Sequence, residues 1–183
     1  MSSQEMQERQ DYDISIIRPQ VQNEDIQLRA QGLSRSKLKE IKKGLHTLHT
    51  LELMATNIYK FQITKKASNL NRQLIAAMCN EMTHYQDFQV KLYEYGFKPS
   101  VFRGAYWIVG FILGFCSKLM GRTAILKVGI WVETKAVRHY GDLLRTVNWD
   151  DDTRRMVEKD QADEYGHINR WEKLLESSQQ DDA

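Results

Sequence analysis

Glu81-Met-Thr-His84 and Glu164-Tyr-Gly-His167 are the two stretches that decide the fold of this chain. Each places a carboxylate and an imidazole three residues apart, and residues at that spacing in an α-helix leave from the same face. Each lies in a long segment free of proline that begins after a capping residue, which predicts a helix. The two stretches therefore predict two helices, each directing a Glu and a His toward one side.

Two further segments each carry a glutamate among apolar neighbours. Glu52 follows Leu51, and Glu133 follows Val132. A lone carboxylate at such a position is costly to bury unless it is paired or bound to a metal. Four helices that supply Glu, Glu-x-x-His, Glu and Glu-x-x-His match the ligand pattern of di-iron and di-manganese bundles. We predict six metal ligands: Glu52, Glu81, His84, Glu133, Glu164 and His167.

The order of the segments predicts an all-α, ferritin-like four-helix bundle over residues 35–176 with one long crossover. The crossover contains an additional apolar helix at residues 101–120. Residues 1–34 are polar and predict a flexible tail, and residues 177–183 predict a disordered one. The expected bundle helices run from a cap at Ser36 to about Thr64, from a cap at Ser68 or Asn69 to Tyr95, over 122–146, and from Thr153 to Leu175.

Composition narrows the function classes. The formal net charge of +2 lacks the strongly basic footprint of a nucleic-acid-binding protein, so we expect no nucleic-acid partner. Cys79 and Cys116 lie in apolar stretches, which predicts buried free thiols and a reducing compartment. The N-terminus shows no apolar signal core, and no export is expected. The longest uncharged run, 104–117, is shorter than the roughly 20 residues of a spanning helix.

An aromatic residue follows each glutamate after seven positions, about two helical turns, and so lies on the same face. Core packing explains this regularity better than a redox or substrate role. It also indicates that each glutamate faces inward. These aromatics are Tyr59, Phe88, Tyr140 and Trp171.

With these residues in place, the chain resembles the demethoxyubiquinone hydroxylase family, the ferritin-like di-iron monooxygenases of ubiquinone biosynthesis. The resemblance covers about residues 35–175 and keeps the order of all six ligands. Leu51 and Met54 are bulkier than the family's residues beside the first glutamate, which predicts a narrower pocket. The motifs that carry the resemblance are His49-x-x-Glu52-x-x-Ala55-x-x-Ile58-Tyr59-x-x-Gln62, Gly110-Phe111-x-Leu113-Gly114, Leu119-Met120-Gly121, Val132-Glu133 with His139-Tyr140, and Asp163-Glu164-x-x-His167.

The resemblance implies a dioxygen-dependent monooxygenase with two iron ions that cycle between Fe2+ and Fe3+. The implied substrate is a quinone or another lipid-soluble molecule, and the electrons come from an external reductant such as NADH. His139 and Tyr140 would support the metal site or relay electrons. Residues 101–120 would hold a cytoplasmic protein on the inner face of a membrane, with Arg103, Lys118, Arg122 and Lys127 at the flanks. A homodimer or a biosynthetic complex remains open as the partner.

Two other functions stay open at this point. One is a ferritin-like or rubrerythrin-like di-iron oxidase or peroxidase without an organic substrate; the absence of a Cys-x-x-Cys module weakens the rubrerythrin form. The other is a helical scaffold that keeps a metal for stability. The residue types do not separate iron from manganese, because both metals accept carboxylate and imidazole ligands.

Overall fold

The computed structural model describes residues 26–181, and within that range the chain forms five α-helices and no strand. This confirms the predicted all-α class and helical bundle. Residues 1–25 of the predicted N-terminal tail, and residues 182–183, lie outside the described part. The helices are α1 (Arg35–Gln62), α2 (Asn69–Glu94), α3 (Arg103–Met120), α4 (Arg122–Thr146) and α5 (Asp151–Asp181).

Serine caps begin the first two helices. The Ser34 hydroxyl accepts a hydrogen bond from the Lys37 amide at 3.3 Å, so the predicted cap at Ser36 is wrong by two positions. Both serines suit the role, and the periodicity alone does not choose between them. Ser68, one of the two predicted caps, accepts from the Asn71 amide at 3.2 Å. Gly96 follows α2 with a φ of 72°, the left-handed conformation that glycine adopts most readily.

Helix α5 is longer than predicted at both ends. It begins at Asp151, because the Asp150 carboxylate caps it by accepting from the Thr153 amide at 3.1 Å. It continues to Asp181, so residues 177–181 of the predicted disordered tail are helical. No glycine or proline follows Leu175 to stop the helix.

Side-chain contacts fix the directions of the helices. Glu52 meets Tyr140 and Tyr59 meets Glu133, so α1 and α4 are antiparallel. His84 and Glu81 meet Glu164 and His167, so α2 and α5 are antiparallel. Helix α3 lies parallel to α1, with Gly110 against Met54 and Gly114 against Ile58. It therefore returns the chain to the opposite end of the bundle before α4 begins.

Helix α3 approaches α1 closely through small residues. A Cβ atom on Gly110 would lie 2.5 Å from the Met54 carbonyl oxygen, and one on Gly114 would lie 2.5 Å from that of Ile58. The other side of α3 is apolar and exposed. We call its exposed row the α3 stripe, and its residues follow one helix face at intervals of three or four. The α3 stripe consists of Ile108, Ile112, Phe115 and Leu119.

Two apolar core layers enclose a layer of charged residues. One layer lies toward the N-terminal end of α1, around Ile41, Leu45 and Phe88. The other lies toward the C-terminal end of α1, around Leu74 and Trp171. The predicted ligand residues occupy the space between them. The fold thus buries these charges among helices whose apolar residues hold the bundle together.

The structure differs from the sequence predictions at Arg29 and at both cysteines. Arg29, within the predicted flexible tail, lies against the bundle: its Nε donates to Glu94 Oε2 at 2.7 Å and its Nη1 to Asp150 Oδ1 at 2.9 Å. Cys79 and Cys116 are exposed, so the prediction of buried thiols is wrong. Their apolar neighbours in sequence did not indicate that each cysteine lies on the solvent-facing side of its helix.

Across residues 26–181, no helix combines the length and apolar character needed to cross a bilayer.

Candidate metal centre

The structure brings all six predicted ligand residues together in the middle of the bundle. They form two groups, in each of which one potential ligand atom per residue lies within 4.8 Å of the others. The first group is Glu52, Glu81, His84 and Glu164, and the second is Glu81, Glu133, Glu164 and His167. Glu81 and Glu164 belong to both groups. Two adjacent cation sites that share two carboxylates are the arrangement expected of a dinuclear centre.

The two histidines face the centre in similar ways. His84 Nδ1 lies 3.1 Å from Glu164 Oε1 and 3.8 Å from Glu52 Oε2. His167 Nδ1 lies 2.9 Å from Glu81 Oε1 and 3.6 Å from Glu133 Oε1. Each imidazole therefore points toward the Glu-x-x-His helix opposite and toward one glutamate from α1 or α4.

Several of these buried atoms lack a hydrogen-bond partner, and this suits a bound cation. Within the described residues, no hydrogen-bond partner exists for either carboxylate oxygen of Glu81, for Oε2 of Glu133, for Oε2 of Glu164 or for Nδ1 of His167. The close approach of His167 to Glu81 lies outside hydrogen-bonding geometry. Unpaired polar atoms in a core are unfavourable. A pair of divalent cations would satisfy them.

The charges of the cluster agree with this reading. Burial raises the pKa of Glu81 well above its ordinary value, and the nearby charge of Glu133 raises it further. Burial, and then the charges of Glu81 and Glu133, likewise raise the pKa of Glu164. Burial alone would also raise the pKa of Glu52, but contact with His84 lowers it. Burial and neighbouring charges thus disfavour the ionised forms of Glu81 and Glu164 when no cation is present. Hard oxygen and imidazole donors suit iron or manganese.

Two of the aromatic residues noted in the sequence hold carboxylates of the cluster. The Tyr140 hydroxyl donates to Glu52 Oε1 at 2.7 Å. The Tyr59 hydroxyl donates to Glu133 Oε1 and accepts from Trp171 Nε1 at 3.0 Å. All four aromatics are buried, as the packing interpretation expected. The seven-residue spacing did not reveal these bonds, because each partner lies on a different helix.

The outer nitrogen of His84 faces two aspartates that the sequence interpretation missed. Its Nε2 lies 3.1 Å from Asp163 Oδ2 and 3.7 Å from Asp160 Oδ1. Burial raises the pKa of Asp160 to about 7. A carboxylate behind a ligating imidazole fixes the ring orientation and makes the ring a better ligand. Both aspartates lie on α5, close in sequence to Glu164. Their sequence proximity to that glutamate is the feature from which they could have been identified.

The two histidines of α1 lie outside the predicted ligand set. His49 is buried, its Nε2 lies 2.8 Å from Gln89 Oε1, and its ring stacks on Tyr85. His46 Nε2 donates to the Lys98 carbonyl oxygen at 2.9 Å. Neither histidine belongs to the two ligand groups.

A mostly apolar cavity of about 220 Å³ reaches the cluster between α1 and α4. Glu52 and Glu133 form its charged floor. Leu51 and Met54, which were expected to narrow the pocket, are among its lining residues. His139 lies exposed on its wall, whereas the adjacent Tyr140 is buried. The other lining residues are Ala55, Trp131, Val132, Lys135 and Ala136.

Comparison with known proteins relates the chain to one family and to a named relative. The family described as "Ubiquinone biosynthesis protein COQ7" matches residues 39–179, which include all six predicted ligands. A relative from Dictyostelium discoideum, named NADPH-dependent 3-demethoxyubiquinone 3-hydroxylase, mitochondrial, is 31% identical over 144 residues. That similarity covers 75% of this chain and 66% of the relative, so the chain spans slightly less than two thirds of the relative's length.

Proposed function

This chain belongs to the ubiquinone biosynthesis protein COQ7 family, and on that premise we propose that it hydroxylates a quinone ring with two iron ions and dioxygen. The observation that carries the proposal is the pair of overlapping ligand groups that share Glu81 and Glu164. One iron would be held by Glu52 and His84, and the other by Glu133 and His167. Glu81 and Glu164 would contribute to both sites. Bound iron would supply the activation of dioxygen.

The substrate ring enters through the cavity between α1 and α4. Its apolar walls suit a hydrophobic ring and exclude water from the floor formed by Glu52 and Glu133. His139 and Lys135, both on the wall, are polar side chains that could hydrogen-bond a ring oxygen. Tyr140 holds the Glu52 carboxylate in one orientation, so a ligand rather than the substrate is its partner. The reductant we propose is a nicotinamide nucleotide, in keeping with the name of the relative.

The α3 stripe is proposed to lie in a membrane interface, from which a lipid-soluble quinone reaches the cavity. Leu119 is 71% exposed and Ile108 is 53% exposed, which is unusual for large aliphatic side chains in a row. Helices with one such face bind in the interfacial plane of a bilayer. Phe111 is a poor position to test, because its ring packs edge-on against Phe61 at 4.8 Å.

Binding to neutral vesicles tests this contact. Ile108→Gln with Leu119→Gln should reduce co-sedimentation with phosphatidylcholine vesicles several-fold, because apolar area is lost from the interface. Ile75→Gln with Tyr93→Gln is the matched control, since both side chains are exposed on α2. Equal loss in both pairs, or no loss in the first, would exclude the α3 stripe as the membrane contact.

The activity is tested by extracting quinones from a strain that lacks this gene. An under-hydroxylated quinone should accumulate, and the wild-type gene should restore the hydroxylated product. Glu164→Ala should fail to restore it, whereas Glu172→Ala, an exposed glutamate on the same helix, should succeed. An unchanged quinone profile in the deletion strain would contradict the proposed reaction.

A further inference from the structure

A groove rich in lysine lies between the first half of α1 and the start of α3. Its volume is about 460 Å³, and it is open to solvent. We call it the lysine groove. Its lining residues are Lys39, Lys42, Lys43, His46, Thr47, Thr50, Ser100, Phe102 and Tyr106.

The basic residues of this groove share one helix face. Lys39, Lys42, Lys43 and His46 follow one another at positions i, i+3, i+4 and i+7, and the three lysine side chains are exposed. None of the described residues that line the groove is acidic. Like charges at i and i+4, as in Lys39 and Lys43, disfavour the helix. An anion in the groove would remove that repulsion.

The groove also has polar and aromatic groups on the side opposite the lysines. Ser100, Phe102 and Tyr106 line that side. The Ser100 hydroxyl accepts a hydrogen bond from the Phe102 amide at 3.2 Å and keeps its own proton to donate. Thr50 contributes little hydrogen-bonding capacity, because its hydroxyl donates to carbonyl groups of its own helix. The groove thus offers positive charge on one wall and an apolar rim with hydroxyl groups on the other.

The position of the groove identifies the source of the anion. It opens where α3 begins, next to Val101 and Phe102, which are 89% and 70% exposed. Residues 101–109 are all exposed, and Arg103 adds a further cation there. When the α3 stripe lies in the apolar margin of a bilayer, the groove lies beside it at the level of the headgroups.

We propose that the lysine groove binds the phosphate group of an anionic phospholipid in the membrane on which α3 docks. The proposal rests on the proposed membrane contact and adds a lipid preference to it. The lysines neutralise the phosphate, and Phe102 and Tyr106 contact the glycerol and upper acyl region. The anchored headgroup fixes one end of α3 at the membrane, while the α3 stripe covers the acyl chains.

Vesicle binding of a triple variant tests the groove. Lys39→Gln, Lys42→Gln and Lys43→Gln together should abolish the added affinity for phosphatidylcholine vesicles that contain phosphatidylglycerol. Three lysines near an anionic surface correspond to a loss of roughly a hundredfold. Binding to pure phosphatidylcholine should stay unchanged. Lys39→Arg, Lys42→Arg and Lys43→Arg should retain the preference, because the charge is kept.

A control variant separates the groove from the overall charge. Arg72→Gln, Arg155→Gln and Lys173→Gln remove the same three charges from α2 and α5, helices that do not pack on α3. This control should keep most of the anionic preference. An equal loss in both triple variants would overturn the groove as a site, since total charge would then explain the binding.

The remaining outcomes distinguish this proposal from the membrane contact itself. An unchanged anionic preference in the lysine variant, with neutral-vesicle binding intact, overturns the groove and leaves the α3 contact standing. Wild-type protein that binds neither kind of vesicle overturns both. Calorimetry with sodium pyrophosphate provides the soluble arm: tight binding that the lysine variant loses, without any anionic vesicle preference, would assign the groove to a free phosphate compound instead.

Discussion

Tyr140, which lies outside the predicted ligand set, hydrogen-bonds one of the candidate ligands. Its hydroxyl is buried and donates to Glu52 at 2.7 Å, while Glu52 also lies 3.8 Å from His84. Burial raises the pKa of Tyr140 well above its ordinary value, and the charge of Glu52 raises it further, so the hydroxyl keeps its proton. Tyr140 is thereby a permanent donor, which orients the carboxylate toward the centre.

Removing that donor should weaken metal binding. Tyr140→Phe should lower the affinity for Fe2+ or Mn2+ by about tenfold or more, the usual effect of losing a partner of a ligand. Competition titration against a coloured chelator measures the affinity. Tyr93→Phe is the control, because Tyr93 is exposed on α2. Equal affinities for the two variants would show that the hydrogen bond does not orient Glu52.

At the scale of helices, the existence and approximate bounds of most helices could be predicted from the sequence. Which face of each helix is exposed to solvent could not. The cap at Ser68 and the terminating Gly96 predicted α2 closely, whereas the end of α5 was missed because no breaker residue marks it. Cys116 was expected to be buried, since it lies in an uncharged, mostly apolar stretch of α3. In the fold, α3 presents glycines to α1 and large apolar residues to solvent, so local hydrophobicity was a poor guide to burial.

The packing of α3 on α1 depends on this glycine face. Gly110→Ala should destabilise the protein by about 1–3 kcal/mol, because the added methyl group would lie 2.5 Å from the Met54 carbonyl oxygen. Gly104→Ala is the matched control in the same helix, with no atom within 4 Å of its added Cβ. It should be neutral or stabilising by up to about 1 kcal/mol, since alanine favours a helix. Urea unfolding of both variants compares them, and equal free energies of unfolding would contradict the close packing.

For the whole molecule, the convergence of the six candidate ligand residues could be predicted because spacing along a helix fixes which side chains share a face. The contacts that support them could not, because Tyr59 reaches Glu133, and His84 reaches Asp163, only after separate helices pack together. The same holds for Arg29, whose carboxylate partners lie on α2 and at the start of α5. Neighbouring residues gave no sign of that attachment.

The buried carboxyls predict an unusual pH dependence for the metal-free protein. The pKa values of Glu81 and Glu164 lie well above the ordinary 4.5, and that of Asp160 is raised to about 7. Above pH 4.5 the folded chain therefore holds more protons than the unfolded chain, so its stability should fall as the pH rises. Thermal unfolding from about pH 5 to about pH 8 should show a falling Tm without metal and a flatter profile with it. Glu81→Gln should reduce the slope, and a Tm that rises with pH in the metal-free protein would contradict the charge distribution described for the cluster.

Iron content per folded chain tests the central claim most directly. After anaerobic reconstitution with Fe2+, the wild-type protein should hold about two iron ions, and His46→Ala should hold the same number. His167→Ala should hold about one or fewer, and His84→Ala with His167→Ala should hold almost none while remaining helical by circular dichroism. About two iron ions in the double variant would show that the six residues at the centre of the bundle are not the metal site.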